Sequence, residues 1–142
     1  IEQKGERVYT YSRERIKWHK DQGHIVIAIS GSPVELVREM SAMYGMDDYR
    51  GTIYEIGSDG AYSGKIIPMW DSASKKKAVA EMAEKHRLDL AASYAYGDTA
   101  GDISMLKLVG CHLSNGCGLP SPPIDPQLQT KTWRLKTCLL NF

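Results

Sequence analysis

The sequence predicts an α/β fold: a Rossmann-like parallel sheet flanked by helices, with a β-hairpin insertion and an incomplete core. Three observations predict it. The run Ile25-Val26-Ile27-Ala28-Ile29 is continuous, largely β-branched and too short for a buried helix, so it reads as a central parallel strand covered on both faces. A second apolar and aromatic run, Ala91 to Tyr96, stops abruptly at Gly97-Asp98. Segments with helical spacing follow both runs, and strands alternating with helices are the signature of parallel sheets.

The elements follow in order. Residues from about Gly5 to Gln22 are polar with scattered apolar positions (Val8, Tyr11, Ile16, Trp18). Ser12 is placed to cap a helix through Lys20, and Gly23 ends it. After the strand at Ile25, Ser30-Gly31-Ser32-Pro33 breaks the run, and Pro33 suits the first turn of a helix through Val34, Val37, Met40 and Met43 that stops near Gly45. Thr52–Ile56 and Ala61–Ile66 flank Ser58-Asp59-Gly60, a strong hairpin signal. Ser72 or Ser74 caps the next helix, with Val79, Met82 and Ala83 inward and Lys76, Lys77, Glu81, Glu84 and Lys85 outward, ending around His86-Arg87. After Asp102, the apolar positions Ile103, Leu106 and Val109 predict a further helix.

Composition bounds the function. The 142 residues suit one domain, and 42% hydrophobic with 25% charged residues is ordinary for a globular protein. A net charge of +1 offers nothing to nucleic acid or an anionic membrane, so neither is expected as a partner. No apolar run is long enough to span a bilayer. Cys111, Cys117 and Cys138 are odd in number and irregularly spaced, which argues against a disulfide framework, and with His112 they match no zinc pattern. Free thiols fit the cytoplasm. The chain opens with Ile1, which implies processing or a start inside a longer protein. His19, His24 and His86 read as isolated histidines, at the surface or internally satisfied.

Three places carry candidate chemistry. Asp98 and Asp102 lie four residues apart at the end of a strand, where two carboxylates converge on a magnesium ion or, alternatively, form a turn with Asp102 as a helix N-cap. Ser30-Gly31-Ser32 precedes a helix, where backbone N–H groups and a serine hydroxyl hold an anion or a serine simply caps the helix. Of Lys75, Lys76 and Lys77, one could turn towards the strand ends, but the three cannot share that direction, because helical neighbours point roughly 100° apart. Parallel sheets gather ligand sites at the carboxyl ends of their strands, which places Ser30, Asp98 and Asp102 on one sheet edge.

These residues resemble three of the four motifs of the haloacid dehalogenase (HAD) superfamily, in particular its phosphoserine-phosphatase-like branch. Ile27-Ala28-Ile29-Ser30-Gly31-Ser32 resembles the second motif, Lys75 with Ala78, Val79, Met82 and Ala83 the third (Lys77 being the alternative lysine), and Tyr96 to Leu106 the fourth. The acidic loop of P-type ATPases is similar, but their phosphorylation motif is absent. The HAD resemblance spans roughly Ile16 to Gly110, so residues 1–22 become the end of a cap or linker helix, residues 23–110 a partial core, and residues 111–142 an atypical tail, disordered or frame-shifted.

The resemblance implies a Mg2+-dependent phosphomonoesterase acting on a small phosphorylated metabolite through an aspartyl-phosphate. Lys75 and Asp98 would be catalytic, Ser30, Gly31 and Lys75 would bind phosphate, and Asp98 and Asp102 would hold the metal. The family's first motif, Asp-x-Asp, supplies nucleophile and general acid, and no Asp-x-Asp occurs in this chain. The implied state is a fragment silent by itself, with a non-catalytic binding module or a truncated chain as alternatives. Substrate identity and oligomeric state stay open. A change of reading frame near Gly110 would explain the tail, and translating the parent DNA in the other frames should restore a family-like ending.

Overall fold

A computed structural model describes residues 10–97, 100–114 and 137–140. In chain order the elements are α1 (Thr10–Asp21), β1 (Ile25–Pro33), α2 (Val34–Met43), β2 (Asp48–Ile56), β3 (Tyr62–Ile67), α3 (Ser72–His86), a 3-10 turn (Leu90–Ala92), β4 (Tyr94–Gly97), a second 3-10 turn (Ala100–Asp102), α4 (Ile103–Leu106), β5 (Cys111–Ser114) and β6 (Thr137–Leu140). Among these residues no helix is long and apolar enough to cross a membrane.

The six strands form one sheet in the order β3-β2-β1-β6-β4-β5. β1 runs parallel to β2 and β6, and β4 runs parallel to β5 and β6. Only the β2–β3 hairpin is antiparallel. The expected hairpin is present, and its first strand pairs with β1, so it extends the parallel sheet at one side.

Alternation along β1 divides the core between two faces. Ile27 and Ile29 point with Ala95 of β4 towards Ala78, Val79 and Met82 of α3 and Met105 and Leu106 of α4. Val26 packs on the other face against Ile16 of α1, with Tyr44, Met46 and Tyr96 around it. Every residue from Val26 to Ser30 is fully buried. That is why the run lacks a polar alternation.

Four expectations shift. The core does not stop at Gly110: Cys111–Ser114 extends the sheet, and Thr137–Leu140 lies between β1 and β4. Two parallel strands one strand-width apart carry ladder donors and acceptors that an intervening strand satisfies. The rest of the tail lies outside the described residues. The expected strand at Ala91–Tyr96 starts later, at Tyr94, because the Asp89 side chain accepts from Ala92 N–H and turns the chain first. Asp71, rather than Ser72 or Ser74, caps α3, its carboxylate accepting from the Ser74 amide and hydroxyl, each at 2.8 Å. Ile103 is 49% exposed while Met105 is fully buried, since α4 is a single turn that presents only one side to the sheet.

The histidines are not isolated. His86 Nε2 lies 2.8 Å from Asp48 Oδ2. His19 on α1 is fully buried, its Nδ1 2.8 Å from His24 Nδ1 and its Nε2 2.9 Å from the Tyr96 hydroxyl. The two facing Nδ1 atoms share a single proton, one donating and one accepting. Burial first, then the charges of His24 and Arg15, push His19 down from 6.5 to about 3.

A histidine whose folded pKa is depressed favours the folded state above the unfolded pKa. That preference drains away as pH falls from about 6.5 towards about 3, because only the unfolded chain takes up the proton. The chain should therefore lose on the order of 2 kcal/mol of unfolding free energy between pH 7 and pH 4.5 from this residue. In His19→Gln the acid-dependent part of that loss should shrink in urea titrations at the two pH values. Met82→Ala, which empties a fully buried volume beneath β1, should cost about 2–5 kcal/mol at pH 7 by the same measurement.

Candidate active site

β1 and β4 both run parallel to β6, so their carboxyl ends lie on one edge of the sheet. Ala28 of β1 and Tyr96 of β4 stand in register with the same residue of β6, Leu140. Ala28 and Tyr96 are therefore about 10 Å apart across one intervening strand, and Ser30 follows Ala28 by two residues. Asp98 itself lies outside the described residues.

At the β1 end, Ser30 is fully buried and its Oγ accepts from Ser32 N–H at 3.2 Å. Pro33 precedes the first turn of α2 in an extended conformation (φ −52°, ψ 137°) and takes the cap position. Neither serine is the capping residue. The expected break at Ser30 does not end the strand: β1 continues to Pro33, its pairing with β2 shifting register between Ile29 and Pro33, and this irregular strand end leads straight into a helix amino end, where N–H groups and the helix dipole favour an anion.

At the other strand, Lys75 and Asp102 meet. Lys75 is in the first turn of α3 and its side chain is 3% exposed, whereas that of Lys77 is 80% exposed. Lys76 is exposed as well. Lys75 is thus the lysine that turns inward, because Ala78, Val79 and Met82 on its face pack against the sheet. Its ammonium donates to Asp102 Oδ1, and Asp102 is fully buried. Asp102 occupies the cap position of α4 but its side chain makes no capping bond there. The expected capping role of Asp102 is therefore absent, and its carboxylate is bonded to Lys75 instead.

Gly97 explains how Asp102 reaches that position. A Cβ at residue 97 would stand 2.7 Å from Asp102 Cβ and 2.9 Å from its Cγ and Oδ2. Glycine is required here by the approach of the carboxylate to the strand, beyond its value as a loop breaker. Two further bonds tie the helices together around the pair: Ser72 Oγ donates to Gly101 O at 3.3 Å and Ser104 Oγ to Ser72 O at 2.9 Å.

A divalent ion needs oxygen ligands from more than one group. Among the described residues no three His, Cys, Asp or Glu side chains converge. Asp102 has one carboxylate oxygen on the Lys75 ammonium and the other close to Gly97. It fits orienting a metal or its waters from behind; direct ligation would rest on Asp98.

Sequence reasoning missed Gly51, Thr52, Asp71 and Gly97. Thr52 and Gly51 are buried where β2 passes the Ser30 loop. Nothing in the local pattern marked them, because their partners are 17 to 21 residues away. Gly97 was legible only as punctuation.

Removing the Lys75 cation should leave a buried, unpartnered charge. Lys75→Met should cost about 3–5 kcal/mol of unfolding free energy. Adding Asp102→Asn to it should restore a substantial part, so the double variant should unfold at higher urea than Lys75→Met alone. Equal or additive losses would contradict a coupled pair.

The profile of the haloacid dehalogenase-like hydrolases matches residues 2–107. An inhibition of morphological differentiation protein from Streptomyces azureus is 31% identical over 103 residues, which is 72% of this chain and 37% of that protein. The phosphoserine phosphatase SerB1 of Mycobacterium tuberculosis is 30% identical over 106 residues, 74% of this chain and 34% of that protein. Among solved structures, a substrate-bound phosphoserine phosphatase superposes with a TM-score of 0.61 at 26% identity, covering 72% of this chain and 49% of that one. A phospho-aspartyl intermediate analogue of phosphoserine phosphatase, at 24% identity and a TM-score of 0.63 over 89% of this chain and 56% of that one, shares the fold. The chain spans about a third of the length of these curated relatives. With a profile match over most of its length and the Ser30, Lys75 and Asp102 elements at one sheet edge, the chain belongs to the haloacid dehalogenase-like hydrolase family and is similar to its phosphoserine phosphatases.

Proposed function

We propose that this chain is the phosphate-handling part of a Mg2+-dependent phosphomonoesterase for a small phosphorylated metabolite. The observation that carries the reading is the buried Lys75–Asp102 pair at the sheet edge that also ends in the Ser30 loop. A buried ammonium held by one carboxylate is a fixed positive charge beside a site for a dianionic ester, and such preorganised charge lowers barriers in phosphoryl transfer. The Ser30 hydroxyl and the Gly31 amide would donate to phosphoryl oxygens. Lys75 would offset negative charge between phosphate and nucleophile, making it and Asp98 the catalytic groups of this chain. Asp98 would hold Mg2+ and Asp102 would orient it, and the ion would screen the phosphoryl charge. The similarity to phosphoserine phosphatases makes phosphoserine the first substrate to try.

The chain contains no Asp-x-Asp. The nucleophile and the general acid of an aspartyl-phosphate route would have to come from residues outside this sequence, and lacking them should nearly abolish turnover. Purified chain should therefore hydrolyse neither phosphoserine nor an aryl phosphate in the presence of Mg2+. Robust Mg2+-dependent hydrolysis, lost in Asp98→Asn, would overturn the silent state.

A second reading is favoured by the same missing motif: a non-catalytic module that keeps anion or metal binding. Titrating Mg2+ and inorganic phosphate onto the chain separates the two. Binding without turnover, persisting when an Asp-x-Asp-bearing segment of the longer protein is supplied, supports the module. Recovery of hydrolysis on that addition supports the enzyme.

A further inference from the structure

Thr52 is fully buried on β2 and has no place in the chemistry assigned so far. Its hydroxyl donates to Gly31 O at 2.8 Å and accepts from Met69 N–H at 3.1 Å. Gly31 C=O and Ser32 N–H belong to one planar peptide unit. The N–H of that unit donates to Ser30 Oγ. Thr52 therefore grips one end of a rigid plane whose other end grips the Ser30 hydroxyl oxygen.

The surroundings leave that plane little freedom. A Cβ on Gly31 would stand 3.0 Å from Trp70 Cβ and 3.3 Å from Trp70 Cα. A Cβ on Gly51 would stand 2.7 Å from Val34 Cα and 3.0 Å from Ser32 O. Backbone thus closes on the loop from the β2 side and from Met69–Trp70. Thr52 is the polar group that joins both walls to the loop, and its hydroxyl is used once as donor and once as acceptor.

We propose that Thr52 is a positioning residue for Ser30: through the Gly31–Ser32 peptide it fixes the direction in which the Ser30 hydroxyl is presented to a phosphoryl oxygen. This rests on the phosphoryl-site reading of Ser30. Thr52 touches no substrate. It sets the orientation before any ligand arrives, which is where a preorganised donor gains over a mobile one.

The test uses the whole chain, with tungstate as the phosphoryl mimic and amide hydrogen exchange as an independent readout. Thr52→Val keeps the shape and removes the hydroxyl, and Thr52→Ser restores it. In Thr52→Val the Ser32 amide should exchange about tenfold faster than in the parent, the effect of losing one ordinary hydrogen bond, while β1 amides keep their protection. Tungstate affinity should fall about tenfold in Thr52→Val and stay within about twofold in Thr52→Ser. In a Ser30→Ala background Thr52→Val should weaken tungstate no further, because its route of action has gone. Unchanged Ser32 exchange in Thr52→Val, or equal weakening in both backgrounds, would overturn the proposal. Should the parent chain bind no tungstate while Ser32 exchange still follows Thr52, the phosphoryl-site reading falls and the orienting link stands. If Thr52→Val does not fold, Thr52→Cys, with its weak donor, takes its place with the same expected order.

Discussion

Two opposite charges without water around them, Lys75 and Asp102, are the constraint on which the rest of the edge depends. Moving either ion out of solvent is expensive, and their attraction repays it only in a close, well-bonded arrangement. The fold supplies that arrangement from three separate elements. The first turn of α3 delivers the ammonium, the turn before α4 delivers the carboxylate, and β4 ends in the glycine that lets the carboxylate come close. A hydrophobic pair of the same volume would hold the helices together as well or better, so stability alone does not explain two buried ions. On the proposed phosphatase reading, their value would be a charge that is already in place.

The same economy governs the opposite side of the edge. The Ser30 loop is short, and its conformation is set from outside by β2 and by the segment before α3. The two halves of the edge are thus built differently. One is held by charge in the interior, the other by hydroxyl-to-backbone bonds and close packing at glycines. Both leave their polar groups on rigid elements, which is the arrangement the proposed phosphoryl chemistry would need.

What could be read from sequence depended on how local its cause was. β1 was legible because a strand buried on both faces writes an unbroken apolar run, whereas spacing alone left Lys75, Lys76 and Lys77 open and only the register of the resembled third motif pointed to Lys75. The capping by Asp71 was hidden by two serines that satisfy the same rule. Thr52, and the contact of His19 with Tyr96 across 77 residues, were invisible because their partners are brought near only by the sheet. β6 was obscured for a different reason. Thr137-Cys138-Leu139-Leu140 is four residues in a proline- and cysteine-containing stretch, with neither alternation nor turn signals to announce it, and its place is dictated by the two strands beside it.

The placement of β6 bears on how the molecule comes into being. On a ribosome, β3-β2-β1 and β4-β5 emerge first, as two separate ribbons, each ending in an unsatisfied backbone edge. Neither edge finds its native neighbour until residues 137–140 have been synthesised. Among the described strands, the one in the middle of the sheet is therefore the last to be synthesised. Nascent chains of this kind are slow to complete and exposed to mispairing meanwhile, so their yield in a cell should track chaperone supply more closely than their final stability.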